Sequence, residues 1–207
     1  MKIKVCGLKE SNNMNQLIKT VKPDYAGLIF FPESRRYVAS SLKPGFIKDI
    51  KDKTNLTGVF VNATIQTIEK NCSTYGVNTV QLHGEESPSF CEKVRSLNLS
   101  VIKSFRISQN FTFKIMKDYI GSCDYFLFDT YDKLKGGTGK KFNWQLLNHY
   151  NFPKPFFISG GIGPADAGRI KNINHPSLYG VDINSRFEKE QGIKNIEKVQ
   201  SFINQLK

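Results

Sequence analysis

The chain has 207 residues, 39% hydrophobic and 23% charged, which excludes a disordered tail or a fibre and leaves a globular protein large enough to fold without disulfides or metal. Its formal net charge of +12 comes from 24 lysines and six arginines scattered along the chain. Nucleic-acid binders gather their charge on one face, so this scatter argues for a small anionic substrate and against a nucleic-acid partner.

The opening residues, Met1 to Gly7, lack the apolar core of a signal peptide and read as a strand over Lys2–Cys6. Similar β-branched and aromatic runs follow at Tyr25–Phe30, Leu56–Val61, Thr79–Leu82, Ser100–Phe105, Tyr125–Phe128, Pro155–Ile158 and Tyr179–Ile183. Helical spacing lies between them at Leu17, Ile18 and Val21, at Ile65, Ile68 and Cys72, at Phe90, Val94 and Leu97, and finally at Ile196, Val199 and Ile203. Strands alternating with helices predict βαβ units and a parallel sheet. Eight units at about 26 residues each fit a single α/β domain over 1–207, a (β/α)8 TIM barrel near its lower size limit. An open doubly wound sheet is the structural rival. No apolar run is long enough to span a membrane, and the protein is expected in the cytosol, as a monomer or homodimer.

A barrel concentrates its chemistry where strands end. Cys6-Gly7 closes the first run and Arg36 follows the second. His83 ends the fourth, Asp129 the sixth, Ser159-Gly160-Gly161 the seventh, and Asp182 with Asn184-Ser185 the eighth. Each residue has a plain alternative. Cys6 is either a packed thiol or a thiol that ionises in a polar mouth. Asp129 either caps the next segment or is a carboxyl that burial turns into an acid near neutrality. His83 is either a structural hydrogen-bonder or a ligand or base. Arg36 is either solvated or pairs with a carboxylate. Gly136-Gly137-Thr138-Gly139 is either a turn or a lid loop. The glycines after the seventh run and Asn184-Ser185 together suit a phosphate grip. Cys72, Cys91 and Cys123 show no metal-ligand spacing and read as packing thiols. These residues describe a cofactor-free barrel, without metal, acting on a phosphorylated carboxylate; they leave the reaction open.

In these same segments the sequence resembles phosphoribosylanthranilate isomerases from end to end. The matching pieces are Lys4-Val5-Cys6-Gly7, Asp24 to Phe30, Ser34-Arg35-Arg36-Tyr37-Val38, Val80-Gln81-Leu82-His83-Gly84 and Phe128-Asp129-Thr130. They continue through Gly136-Gly137-Thr138-Gly139-Lys140, Phe142-Asn143-Trp144, Ser159-Gly160-Gly161 and Gly180-Val181-Asp182. The resemblance implies a ribulose-phosphate-binding barrel without a cofactor and an Amadori rearrangement in tryptophan biosynthesis. It implies Asp129 as general acid, Cys6 as general base, Arg36 on the anthranilate carboxylate, and a phosphate grip at Gly160, Gly161, Asn184 and Ser185. His83 and Asp182 are left auxiliary positioning roles. A cationic surrounding is expected to favour the Cys6 thiolate, and burial to keep Asp129 protonated. One departure stands out: where the family carries Ser-Ser-Gly after strand eight, this chain has Asn184-Ser185-Arg186. The competing readings are an indoleglycerol-phosphate synthase, suggested by Lys103, a sugar-phosphate epimerase, and an inactive basic binding barrel.

Overall fold

The computed structural model describes residues 1–43, 45, 50, 53–130 and 141–207. Eight strands close into a barrel in sequence order: β1 (Lys2–Val5), β2 (Tyr25–Ile29), β3 (Asn55–Phe60), β4 (Thr79–Leu82), β5 (Ser100–Ile107), β6 (Tyr125–Thr130), β7 (Phe156–Ile158) and β8 (Leu178–Ile183). Every neighbouring pair is parallel, and β8 closes on β1 with Lys4 opposite Asp182. Closure rules out the open sheet. A short antiparallel hairpin, β9 (Glu188–Glu190) with β10 (Ile193–Lys194), follows the barrel. It turns on Gly192, whose φ of 83° suits a residue without a Cβ.

The helices expected from spacing form where a cap starts them. They are α1 (Ser11–Val21), α2 (Ile65–Tyr75), α3 (Pro88–Arg95) and, last in the chain, α5 (Ile196–Leu206); a short helix that the spacing does not announce, α4 (Ala167–Lys171), lies between β7 and β8. Side chains of Glu10, Thr64, Ser87 and Asn195 accept hydrogen bonds from the first turns of α1, α2, α3 and α5. Helix α3 stops at Arg95, so Leu97 falls in the turn beyond it. Between β5 and β6, and between β6 and β7, the described residues form only 3-10 turns at Phe113–Tyr119 and Trp144–His149. The small size of the chain is thus met by short crossovers rather than by missing strands.

Two apolar clusters divide the interior. The larger fills the layer between strands and helices. The smaller, Tyr25, Ile102, Leu127 and Phe157 with Tyr125 and Tyr179 packed on it, plugs the lower barrel. Alternation along a strand carries the inward face two residues further up, from Leu127 to Asp129, from Ile102 to Ser104 and from Tyr25 to Gly27. The inward face therefore changes from aromatic to polar as it climbs to the strand ends.

Lys103 is consumed structurally. It lies 2% exposed, its Nζ 2.9 Å from Glu86 Oε2 and donating to Gly84 O at 2.7 Å. Glu86 in turn accepts from the backbone N–H groups of Asn62 and Gly84, so the pair fixes the loop that begins with His83. Lys103→Met strands a buried carboxylate and is expected to lower stability by about 3–5 kcal/mol, read by denaturant unfolding. This use of Lys103 removes the observation that favoured a synthase.

Candidate active site

In β1, β4 and β7 the last ladder bond sets a chemical residue one step beyond the strand, while Asp129 and Asp182 lie within the last residues of β6 and β8. Cys6 N–H donates to Ile183 O at 2.9 Å, His83 N–H to Phe60 O at 2.8 Å, and Ser159 N–H to Phe128 O at 2.8 Å. The side chains at these ends project into one mouth. Gly27 opens the room for the thiol, since a Cβ there would stand 2.8 Å from Cys6 Sγ. Gly7, at φ 75°, does the same for Arg36 and Asn184, each of which would lie 2.6 Å from a Cβ.

Cys6 is 5% exposed, and burial pushes its thiol above the ordinary value although Lys4 and Lys194 pull it down. Lys4, fully buried on β1, donates from Nζ to Asp182 Oδ1 at 3.0 Å. Burial works against its charge, but Asp182 and Cys6 outweigh that and keep it an ammonium. The other three cysteines lie in the apolar layer, pushed by burial to about 12 at Cys72 and Cys123 and about 11 at Cys91.

Asp129 stands on the far side, its side chain 26% exposed. Its Oδ1 accepts from Thr130 N–H at 2.9 Å, and its Oδ2 lies 3.2 Å from His83 Nε2. The other nitrogen of His83 faces Gln81 Nε2 at 2.8 Å, a contact that sets the ring's orientation. The expected division of burial is therefore reversed: the thiol is the deeply buried group and the carboxyl the partly open one. The reason is position on the strand. Cys6 packs against Gly27 beside the buried Lys4 and Asp182 side chains, whereas Asp129 is the next-to-last residue of β6.

Gly160 and Gly161 are both left-handed, at φ 85° and 66°, and a Cβ on Gly160 would collide with Thr130 and Asp129. Among the described residues neither glycine N–H meets an acceptor. Asn184 and Ser185 start the 3-10 turn after β8, and Arg186 lies against Gly163, where a Cβ would stand 3.0 Å from its Cδ. The loops after β7 and β8 thus adjoin, with Arg186 at their seam. Gly136, Gly137, Thr138 and Gly139 lie outside the described residues.

Arg36 differs from a freely waiting carboxylate partner. Its Nε and Nη2 already fork onto Glu188, at 2.8 and 2.6 Å, leaving the Nη1 edge for a second anion. Glu188 also takes Lys194 Nζ at 2.7 Å. Burial raises the Glu188 carboxyl, but Arg36 and Lys194 outweigh it and hold it below its ordinary range. Lys194 and Glu188 were not singled out by motif or periodicity, and Lys4 entered only as the first residue of a matching piece. Lys4 had a signal: a lysine in mid-strand of a parallel barrel has no solvent face to occupy. Among the described residues no group of three His, Cys, Asp or Glu side chains is arranged to hold a metal, and no helix is long and apolar enough to cross a membrane.

The chain as a whole has counterparts among known proteins. Residues 3–205 match the family described as N-(5'-phosphoribosyl)anthranilate (PRA) isomerase. The enzyme of that name from Parabacteroides distasonis is 40% identical over all of this chain and 93% of its own length. Among solved structures, a phosphoribosylanthranilate isomerase in complex with reduced 1-(o-carboxyphenylamino)-1-deoxyribulose 5-phosphate is 26% identical with a TM-score of 0.79, covering 100% of this chain and 98% of its own. The dimeric isomerase from Thermotoga maritima, in a form described as monomers, matches with the same identity, coverage and TM-score. With a family match over residues 3–205, full-length coverage and 40% identity to a relative, the chain belongs to the N-(5'-phosphoribosyl)anthranilate isomerase family, isomerases of tryptophan biosynthesis.

Proposed function

We propose that Asp129 and Cys6 are the acid and base that convert N-(5'-phosphoribosyl)anthranilate to 1-(2-carboxyphenylamino)-1-deoxyribulose 5-phosphate, within one unit spanning 1–207. Asp129 protonates the furanose ring oxygen, the C1–O bond breaks, and the ring opens to an iminium. That cation acidifies the neighbouring C2–H, and the Cys6 thiolate takes this proton to give the enolamine. Ketonisation then moves a proton to C1 as the enol hydroxyl loses its own. The carrying observation is that the two groups stand at the ends of different strands of one barrel mouth, the thiol between Lys4 and Lys194 and the carboxyl beside His83.

The substrate's two anionic ends fit the two sides of the mouth. The phosphate is assigned to the N–H groups of Gly160 and Gly161 and to Asn184-Ser185, with Arg186 adding charge at the seam in place of the backbone freedom of a glycine. The carboxylate is assigned to the open edge of Arg36. The relative crystallised with the reduced product analogue carries a ligand with the same two ends. His83 steers Asp129, and Asp182 holds Lys4 beside Cys6. The dimeric Thermotoga maritima relative favours a homodimer among the two expected states.

Arg36→Ala tests the carboxylate assignment. Loss of a charged hydrogen-bond partner is worth about 1.5–3 kcal/mol, so KM is expected to rise about 10- to 150-fold with a smaller change in kcat. Steady-state kinetics with substrate made in situ from anthranilate and phosphoribosyl pyrophosphate by a separate transferase measure it. An unchanged KM would remove Arg36 from the binding site.

A further inference from the structure

Lys194 sits on the β9–β10 hairpin, outside the barrel, yet it is fully buried. Its Nζ donates to Asn184 Oδ1 at 2.7 Å, to Glu188 Oε1 at 2.7 Å and to Asn184 O at 3.4 Å. Asn13 of α1 clamps its backbone from both sides, accepting from Lys194 N–H at 2.7 Å and donating to Lys194 O at 2.8 Å. Gly192 N–H, from the hairpin turn, donates to the same Glu188 oxygen at 3.1 Å. A buried ammonium is a poor way to gain stability, because a well-packed apolar side chain does as well or better. The charge therefore asks for a use.

Its surroundings supply one. Arg36 and Lys194 carry one positive charge each and Glu188 one negative, so the triad is net cationic by one. Without Lys194, Glu188 neutralises Arg36 and the mouth loses its net attraction for a carboxylate. The groups facing Cys6 are Lys4 of β1, Asp182 of β8 and Lys194 of β10, and Arg36 lies close enough to feel the thiol. Lys4 is largely balanced by Asp182, and Lys194 adds a second cationic pull on a thiol that burial otherwise raises. We propose that Lys194 is a positioning residue for the isomerisation, which keeps the Arg36–Glu188 pair net cationic for the substrate carboxylate, ties it to Asn184 of the phosphate grip, and sets a positive charge beside Cys6. This rests on the roles given above to Cys6 and Arg36. Burial lowers Lys194 to about 8, so its charge, and with it the affinity for the carboxylate, is lost as pH rises through that value.

Charge, rather than packing, is the quantity to vary. In Lys194→Met, Glu188→Gln and the double variant, the triad carries a net charge of zero, plus two and plus one. The rate of Cys6 alkylation by iodoacetamide at a fixed pH about one unit below the Lys194 value, where Lys194 is still an ammonium, is followed on the Cys6 peptide by mass spectrometry and reads the thiolate fraction whether or not Cys6 is the base. Lys194→Met is expected to slow it about tenfold and to raise KM. Glu188→Gln is expected to speed it, and the double variant to return it toward wild type. Rates that coincide in all variants while the melting temperature falls would overturn the proposal, as would a double variant worse than either single one. If Lys194→Met does not fold, Glu188→Gln decides alone: a slower rate overturns it, and so does an unchanged one. Turnover retained by Cys6→Ala would instead refute the base assignment and leave the alkylation series readable.

Discussion

Replacing Cys6 with alanine is expected to lower kcat by about 10²–10⁴-fold, the usual contribution of a positioned base, while the fold persists. The fold persists because the residue is held by its backbone, through Cys6 N–H to Ile183 O and Leu8 N–H to Gly27 O, rather than by its sulfur. Affinity for the product should change little, since the thiol acts on the transition state. Fluorescence decay of the in situ substrate measures the rate, and retention of more than about a tenth of it would exclude Cys6 as base. The pH profile supplies a second reading. Burial holds the thiol above its ordinary value, so in an Asp129→Asn background, where no acid titrates, the residual kcat/KM must climb from acid pH as the thiolate forms, up to the loss of the Lys194 charge at about 8. A kcat/KM that falls across this range would contradict the assignment.

Asp129→Asn is expected to cost turnover by the same about 10²–10⁴-fold, for a different reason. The amide is isosteric and its oxygen still accepts from Thr130 N–H, so position is kept and only the transferable proton is lost. Ring opening then has no acid at the leaving oxygen. The variant should therefore bind the product normally and melt close to wild type, as calorimetry would record. Appreciable turnover by the folded variant would move the acid to another group. The site also depends on its neighbouring glycine, since a Cβ on Gly160 would stand 2.6 Å from Asp129 Oδ1.

How far these groups could be read from the chain depended on how local their signals are. The strands were legible because each is a short apolar run with polar flanks, and their ends agree within two residues. Cys6, His83, Asp129 and Asp182 were legible because a barrel places chemistry at those ends. The crossovers after β5 and β6 were not, since 3-10 turns lack the sustained 3.6-residue period of a helix. The pairing of Arg36 with Glu188 spans 152 residues, and nothing in either segment announces the other. Lys194 was hidden for a related reason. Within a lysine-rich chain its burial follows from Asn13 and Glu188 meeting it, which is a property of the packed hairpin alone.

The aromatic plug of Tyr25, Tyr125, Phe157 and Tyr179 has a kinetic corollary. Its rings meet at centroid distances of 4.7–6.4 Å, and Tyr25 and Tyr179 share a hydroxyl contact of 3.1 Å. The barrel is therefore a blind well rather than a tunnel. Whatever leaves must depart through the doorway by which it arrived, so a spent molecule bars the next one until it clears. Product should accordingly compete with substrate for the free enzyme, and slow departure would throttle the whole cycle however fast the protons move.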